Sequence, residues 1–303
     1  MKNSTRFLVL IASALSLSAA FSSEVETVIQ AKPEEKVPID IAEIETGYVF
    51  ESDLNHGGSF GKQDEFQTEF EYTHRFLVSG NWYLHTGLAY DRFDFGSTSA
   101  PVPIHLQRGA VVIGIDYMHG ADIGALIQFR PGFYTEEHIG LASFDCPITL
   151  GRFFVLQPDK LYLFTGATAS FLRGGYPVIP LVGVVWNPND KVRLMGVLPE
   201  PRLIYSPTDK LDLWVGGEYV GGSFRTDHHD NFKGPHVAKL SGTQVDFADY
   251  RAGVGFTYDL TNAISLDGGG GYSIQRAFLF HRAGENYRTD PSPYVQIELK
   301  AKF

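Results

Sequence analysis

From about residue 40 onward, apolar and polar side chains alternate along the chain with a period of two. Phe66, Phe70, Tyr72 and Phe76 share one parity, against Gln67, Glu69, Glu71 and Arg75 on the other. Tyr250, Ala252, Val254, Phe256 and Tyr258 oppose Asp249, Arg251, Gly253 and Thr257, and Leu211, Leu213, Val215 and Tyr219 oppose Asp212 and Glu218. The last ten residues repeat the pattern: Val295, Ile297, Leu299, Ala301 and Phe303 face away from Tyr294, Gln296, Glu298, Lys300 and Lys302. Successive side chains of a strand point to opposite faces, so each run predicts a strand with one apolar and one polar face. No stretch of similar length has helical spacing. The chain reads as all-β.

The connections fall into two classes. Short ones, near 79–81, 119–120, 157–160, 187–190, 206–209 and 259–262, carry the Pro, Asn, Asp and Gly residues of tight turns. Longer ones are expected near 53–63, 96–105, 135–146, 172–177, 225–243 and 281–291. Short turns on one rim and long loops on the other is the arrangement of a transmembrane barrel. Counting strands back from Phe303 keeps every short turn on one rim only if the chain also reverses at Leu198-Pro199-Glu200-Pro201, a reasonable place because proline is confined to edges, bulges and strand ends. The prediction is a single closed antiparallel transmembrane β-barrel of about 14 strands over 40–303. If the two prolines only kink one strand, 12 is the fallback.

Composition agrees with this reading. Aromatics form 14% of the 303 residues and glycine contributes 32, yet the mean hydropathy is only −0.08. A barrel whose alternate residues meet lipid averages near neutral in this way, whereas a soluble sandwich does not ask for aromatic-rich strands of a dozen residues. At the amino end Lys2 and Arg6 precede an apolar run from Phe7 to Phe21 with small residues after its core, predicting a secretory signal peptide over 1–22. Its removal takes the basic side chains from 25 to 23 against 35 acidic ones, and the net charge from −10 to −12. That balance argues against nucleic acid as a partner. Residues 23–39, charged and broken by Pro33 and Pro38, are expected to be a periplasmic tail. Cys146 is the single cysteine, so the sheet and no intramolecular disulfide must hold the fold.

The closing strand, ending in an aromatic carboxy-terminal residue, looks like the last strand of a bacterial outer-membrane barrel, and that likeness implies that Phe303 serves as an assembly signal. Three blocks sharpen it: Val184–Lys191 (VVWNPNDK), Leu198–Tyr205 (LPEPRLIY) and Gly216–Arg225 (GGEYVGGSFR). Together they resemble an uncharacterised outer-membrane barrel family of Gram-negative bacteria, a domain of unknown function. The resemblance implies a barrel in the outer membrane, with lipid and the barrel assembly machinery as partners. It implies no substrate.

The function expected is a porin-like transport channel for a small solute. Alternation turns Arg193, Arg202, Asp212, Glu218, Arg251 and Asp267 inward, because an ionisable group facing lipid costs a few kcal/mol near the midplane. With Glu200 at the proposed reversal they are the candidate pore lining, selecting by charge. The competing reading is a salt-bridge network that stiffens the barrel and fills it. Val178–Trp186 is apolar on both parities, which suits either a path for a hydrophobic solute or packing against an inner plug. His228, His229 and Asp230, with Asp227 and His236 nearby, offer metal-ligand chemistry on one loop but no second rigid pair, so no metal is assigned. His85, His105 and His281 show no spacing to a nucleophile, and no phosphate loop or nucleotide fingerprint occurs. No cofactor and no catalytic residue are expected. A closed display barrel with functional loops and a lipid-modifying enzyme at the rim are the alternatives.

Overall fold

The computed structural model describes residue 37 and residues 39–119, 122–229 and 237–303. The signal peptide over 1–22 and nearly all of the tail over 23–39 lie outside the described residues. In chain order the strand segments are β1 (Asp40–Asn55), β2 (Ser59–Ser79), β3 (Trp82–Phe95), β4 (His105–His119), β5 (Asp122–Phe129), β6 (Gly132–Thr135), β7 (Phe144–Asp145), β8 (Ile148–Gln157), β9 (Leu161–Ala169), β10 (Val178–Asn189), β11 (Val192–Gly196), β12 (Arg202–Thr208), β13 (Leu211–Arg225), β14 (Gln244–Asp259), β15 (Ile264–Phe280), β16 (Glu285–Thr289) and β17 (Ser292–Lys302). Three pairs of segments are single strands interrupted at a proline. Pro131 separates β5 from β6, Pro147 separates β7 from β8, and Pro291 separates β16 from β17. Proline has no N–H for the ladder, yet pairing runs on across the breaks through Val111 N to Pro131 O and Arg130 N to Pro147 O.

The result is a closed antiparallel barrel of 14 strands. Closure is made by β17 on β1, in register from Ile41 opposite Lys302 to Val49 opposite Tyr294. The chain does reverse at Pro199–Pro201, between β11 and β12, which retains the count of 14 over 12. Two expected long loops are instead tight turns. β1 and β2 run to a tip at His56–Gly58, and β15 reaches β16 through residues 281–284. Gly57 (φ 68°) and Gly284 (φ 76°) supply the left-handed backbone those turns need. At 21 residues β2 is about twice as long as a membrane crossing requires, so this hairpin stands out beyond the bilayer-length wall.

Outward parity is apolar on every side. Ile44, Phe70, Leu88, Val111, Val215, Phe256 and Ile297 are among the large hydrophobic side chains exposed there. The opposite parity is buried, and holds both the charged residues and two apolar clusters. No helix among the described residues is long and apolar enough to cross a membrane. The strands alone supply the lipid-facing surface.

Candidate functional site: the barrel interior

Glycines on β14 and β15 make room for the largest inward groups. A Cβ at Gly255 or Gly269 would collide with the Trp214 indole, and one at Gly253 with the Tyr294 hydroxyl. Gly253, Gly255 and Gly269 together are therefore a bed for aromatic rings reaching across from β13 and β17. Arg202 of β12 lies 4.3 Å from the Trp214 ring centroid and bonds Glu200 at 2.9 Å and Asp267 at 3.4 Å. Asp267 also accepts from Trp214 Nε1 (3.1 Å) and Thr257 Oγ1 (2.6 Å).

A second knot lies between β14 and β2. Arg251 Nε meets Asp249 at 2.6 Å, and Arg251 Nη2 meets Glu65 at 3.2 Å, with the guanidinium 5.3 Å from the Tyr294 ring centroid. Arg276 approaches Glu65 at 3.6 Å and donates to Gln63 O, while Ser273 Oγ donates to Asp249. The side chains of Arg251, Asp249, Glu65 and Arg276 have 0% exposure. Water does not reach them from either side of the wall. Further round, Arg75 and His85 share Asp116 at 3.0 and 2.9 Å, Arg130 holds Glu71 at 2.9 Å, Arg108 pairs with Asp91, and Lys300 lies between Glu43 and Glu298.

All seven pore-lining candidates thus face the interior, and they are not independent. Arg202, Glu200 and Asp267 form one cluster, Arg193 pairs with Asp212 at 3.3 Å, and Arg251 centres another. Among the described residues Glu218 has no ion pair, and one of its carboxylate oxygens is buried without a hydrogen-bond partner. His85, considered as a base, is committed to Asp116, with Gln128 Nε2 3.4 Å from its other ring nitrogen.

Inward aromatics beyond the charges were not anticipated. Phe93, Phe95, Phe224, Phe247, Phe278 and Phe280 pack with Leu172 and Leu240 into one cluster at the long-loop end. Phe247 stands 5.2 Å from Phe93 and 5.3 Å from Phe278 between ring centroids. The sequence does hold a signal for it: Phe93 and Phe247 occupy the parity of Asp91 and Asp249, two residues nearer the outer loops. Above them the loops join across the mouth. Thr135 of β6 pairs in parallel with Arg225 of β13, and Glu136 N bonds Arg225 O. Asp227 N donates to the Glu136 carboxylate, which also meets His229 at 3.0 Å. His138 Nδ1 lies 2.6 Å from Asp227, whose carboxylate holds the imidazole pKa above its ordinary value. Asp230 and His236, named with this loop, lie outside the described residues.

The wall is incomplete at one place. The hairpin of β11 and β12 is short, and its last pairings are Gly196 with Val184 and Arg202 with Gly216. Pro199 and Pro201 carbonyls still accept from Tyr219 and Gly217. Beyond them, among the described residues, Val178–Gly183 pairs only with β9 and Val220–Phe224 only with β14. Residues 170–177, which connect β9 to β10, reach from Asp145 of β7 to Asp246 of β14. Asp145 accepts from Ser170 Oγ and from the Phe171 and Leu172 amides, and Asp246 accepts from Gly174 N on the far side. Inside, Ile179 and Leu181 pack with Met195 and Val197, and Leu198 with Tyr219 and Ala248. Val37 meets the first of these clusters.

No protein-family model matches the chain, and no curated protein does. Among solved structures, it is similar to the COG4313 outer membrane channel from Pseudomonas putida F1, with 11% identity and a TM-score of 0.48 over 90% of this chain and 100% of that one. The Pseudomonas putida toluene transporter TodX gives 12% and 0.40 over 96% of each chain. A Pseudomonas aeruginosa FadL homologue gives 10% and 0.34 over 88% of this chain and 90% of that one.

Proposed function

We propose that this chain is an outer-membrane transport channel for a small, predominantly apolar solute, which passes through the interrupted side of the barrel. The observation that carries this reading is the interval between β10 and β13. Among the described residues its edge strands lack a sheet neighbour there, and Ile179, Leu181, Val197 and Leu198 line its inner side. Unpaired backbone in lipid costs several kcal/mol per group, so irregular backbone at membrane depth belongs where protein or a cavity covers it. A water-filled pore selecting by charge is less well supported, because many of the inward charges are engaged in ion pairs and the Arg251, Asp249 and Glu65 side chains have no exposure. They act as an internal scaffold. Outer-membrane location is supported by the apolar outward belt and by the leader expected at residues 1–22.

The test is uptake by cells that export the chain, measured with a labelled small aromatic hydrocarbon and, in parallel, a sugar of similar size. Faster entry of the hydrocarbon alone, with low unit conductance in planar bilayers, is the expected result. Large conductance with sugar entry would return the charge-filter pore. Absence of uptake and conductance would favour a closed display barrel, the reading to which the complete burial of the Arg251 cluster also lends itself.

A further inference from the structure

We propose a second site, distinct from the transport path: a divalent transition-metal site of the zinc class at the outer mouth, formed by Glu137, His138 and Asp227. One ligand atom from each residue lies within 4.8 Å of the others. In a tetrahedral site with bonds of about 2.0–2.1 Å, neighbouring donors stand about 3.3 Å apart, so small side-chain rotations bring the three onto one ion. Imidazole nitrogen with two carboxylates is a donor set that zinc accepts, and three protein ligands leave a position for water. Glu137 and His138 are exposed on the segment after β6, and Asp227 lies on the segment after β13, so the donors come from opposite sides of the mouth.

The surroundings point to a cation. Glu136, Glu137 and Asp227 place three carboxylates together, and among the described residues no Lys or Arg pairs with any of them. Their partners are imidazoles: His229 for Glu136, His138 for Asp227, and His105 at 4.0 Å from Glu137. The arrangement is also braced. The Asp227 carboxylate accepts from His138 N, Glu136 accepts from Asp227 N, and Thr135 Oγ1 donates to His138 O. Such outer contacts orient ligands and are worth as much as 10–100-fold in affinity at metal sites. Bound metal would lock the loops after β6 and β13 together, where Thr135 and Arg225 already meet.

The experiment is titration of the tag-free, detergent-folded protein with Zn²⁺, followed by calorimetry, and with Co²⁺, followed by its visible absorption. One equivalent should bind, with cobalt giving the intense bands of four-coordination. His138→Ala and Asp227→Asn should each weaken binding by at least 10-fold, whereas His228→Ala, on the same loop but outside the donor set, should bind as the parent does. Zinc should also slow proteolysis within residues 136–143. No saturable binding, binding indifferent to His138→Ala, or equal loss in His228→Ala would each overturn the assignment. Heat-modified gel mobility verifies that every variant is folded.

Discussion

Arg251→Met is the substitution that most directly tests the internal scaffold. The guanidinium is fully buried and holds Asp249 at 2.6 Å and Glu65 at 3.2 Å. Methionine fills similar volume, so the change removes charge more than packing. Glu65 keeps Arg276 at 3.6 Å, but Asp249 is left with the Ser273 hydroxyl as its remaining close donor. Removing one member of a buried pair leaves an uncompensated charge and typically costs about 3–5 kcal/mol. At roughly 2–3 °C per kcal/mol for a chain of this size, the midpoint should fall by about 6–15 °C. Two companions calibrate the effect. Arg92→Met breaks the Arg92–Asp94 pair at 2.8 Å, but those side chains are 38% and 42% exposed, so the loss should stay below about 1 kcal/mol. Adding Asp249→Asn to Arg251→Met removes the stranded charge and should recover at least half of the deficit. The assay is the temperature at which detergent-folded protein loses its compact gel mobility, at a fixed heating rate because barrels unfold irreversibly. Equal shifts for Arg251→Met and Arg92→Met, or no recovery in the double variant, would refute the argument that desolvated charge sets the cost.

Other consequences are open to measurement. Deleting Phe303 removes the carbonyl that accepts from Ile39 N and Asp40 N at the closing seam, so outer-membrane levels should fall while export continues; normal membrane levels would show that the residue is not an assembly signal. Gly255→Val overpacks the bed under Trp214, at a cost of about 1–3 kcal/mol, and should alter indole fluorescence because the Nε1 bond to Asp267 is lost. An unchanged emission spectrum would mean that the ring sits elsewhere. Burial, with Asp145 next to it, pushes the Cys146 thiol pKa up, and the thiolate is the reacting form. Its alkylation rate should therefore rise through a midpoint above that of a free thiol such as glutathione, and a midpoint at or below that of glutathione would contradict the placement.

The strands were legible because lipid imposes one rule on every outward position. Phe66, Val111, Val215 and Val295 lie on different strands, and parity alone orients them all the same way. The reversal at Pro199 and Pro201 was legible as well, since proline cannot hold a central ladder position. Loop length was read less well: residues 53–63 and 281–291 look like loops by composition, yet Gly57 and Gly284 let the strands run nearly to their tips. Pairing across the interior could not be read at all. Glu65 and Arg251 are 186 positions apart, and parity tells only that both point inward. The same limit hid the meeting of His138 with Asp227, whose loops follow strands on opposite sides of the mouth. The aromatic cluster was visible in principle, as a change from Asp91 to Phe93 and from Asp249 to Phe247 along one face.

These features bear on where a solute could pass. A barrel of 14 strands is wide enough that its interior must be filled or left open to water. Here the middle is filled by charged side chains, many of them paired, and the outer end by phenylalanines, two fillings that exclude each other's solutes. A polar solute would have to cross the Phe93, Phe247 and Phe278 layer, and an apolar one would have to cross the desolvated Arg251 cluster. The interval between β10 and β13 offers a route past both, because Ile179, Leu181, Val197 and Leu198 line it, and the segment 170–177 that leads into β10 is tied to Asp145 of β7 and Asp246 of β14. Movement of residues 171–176 would break the bonds to Asp145 and Asp246 and withdraw Leu172 from the phenylalanine cluster, and would leave every strand pairing intact. That is why the side of the barrel, and not its axis, is the place to look for transport.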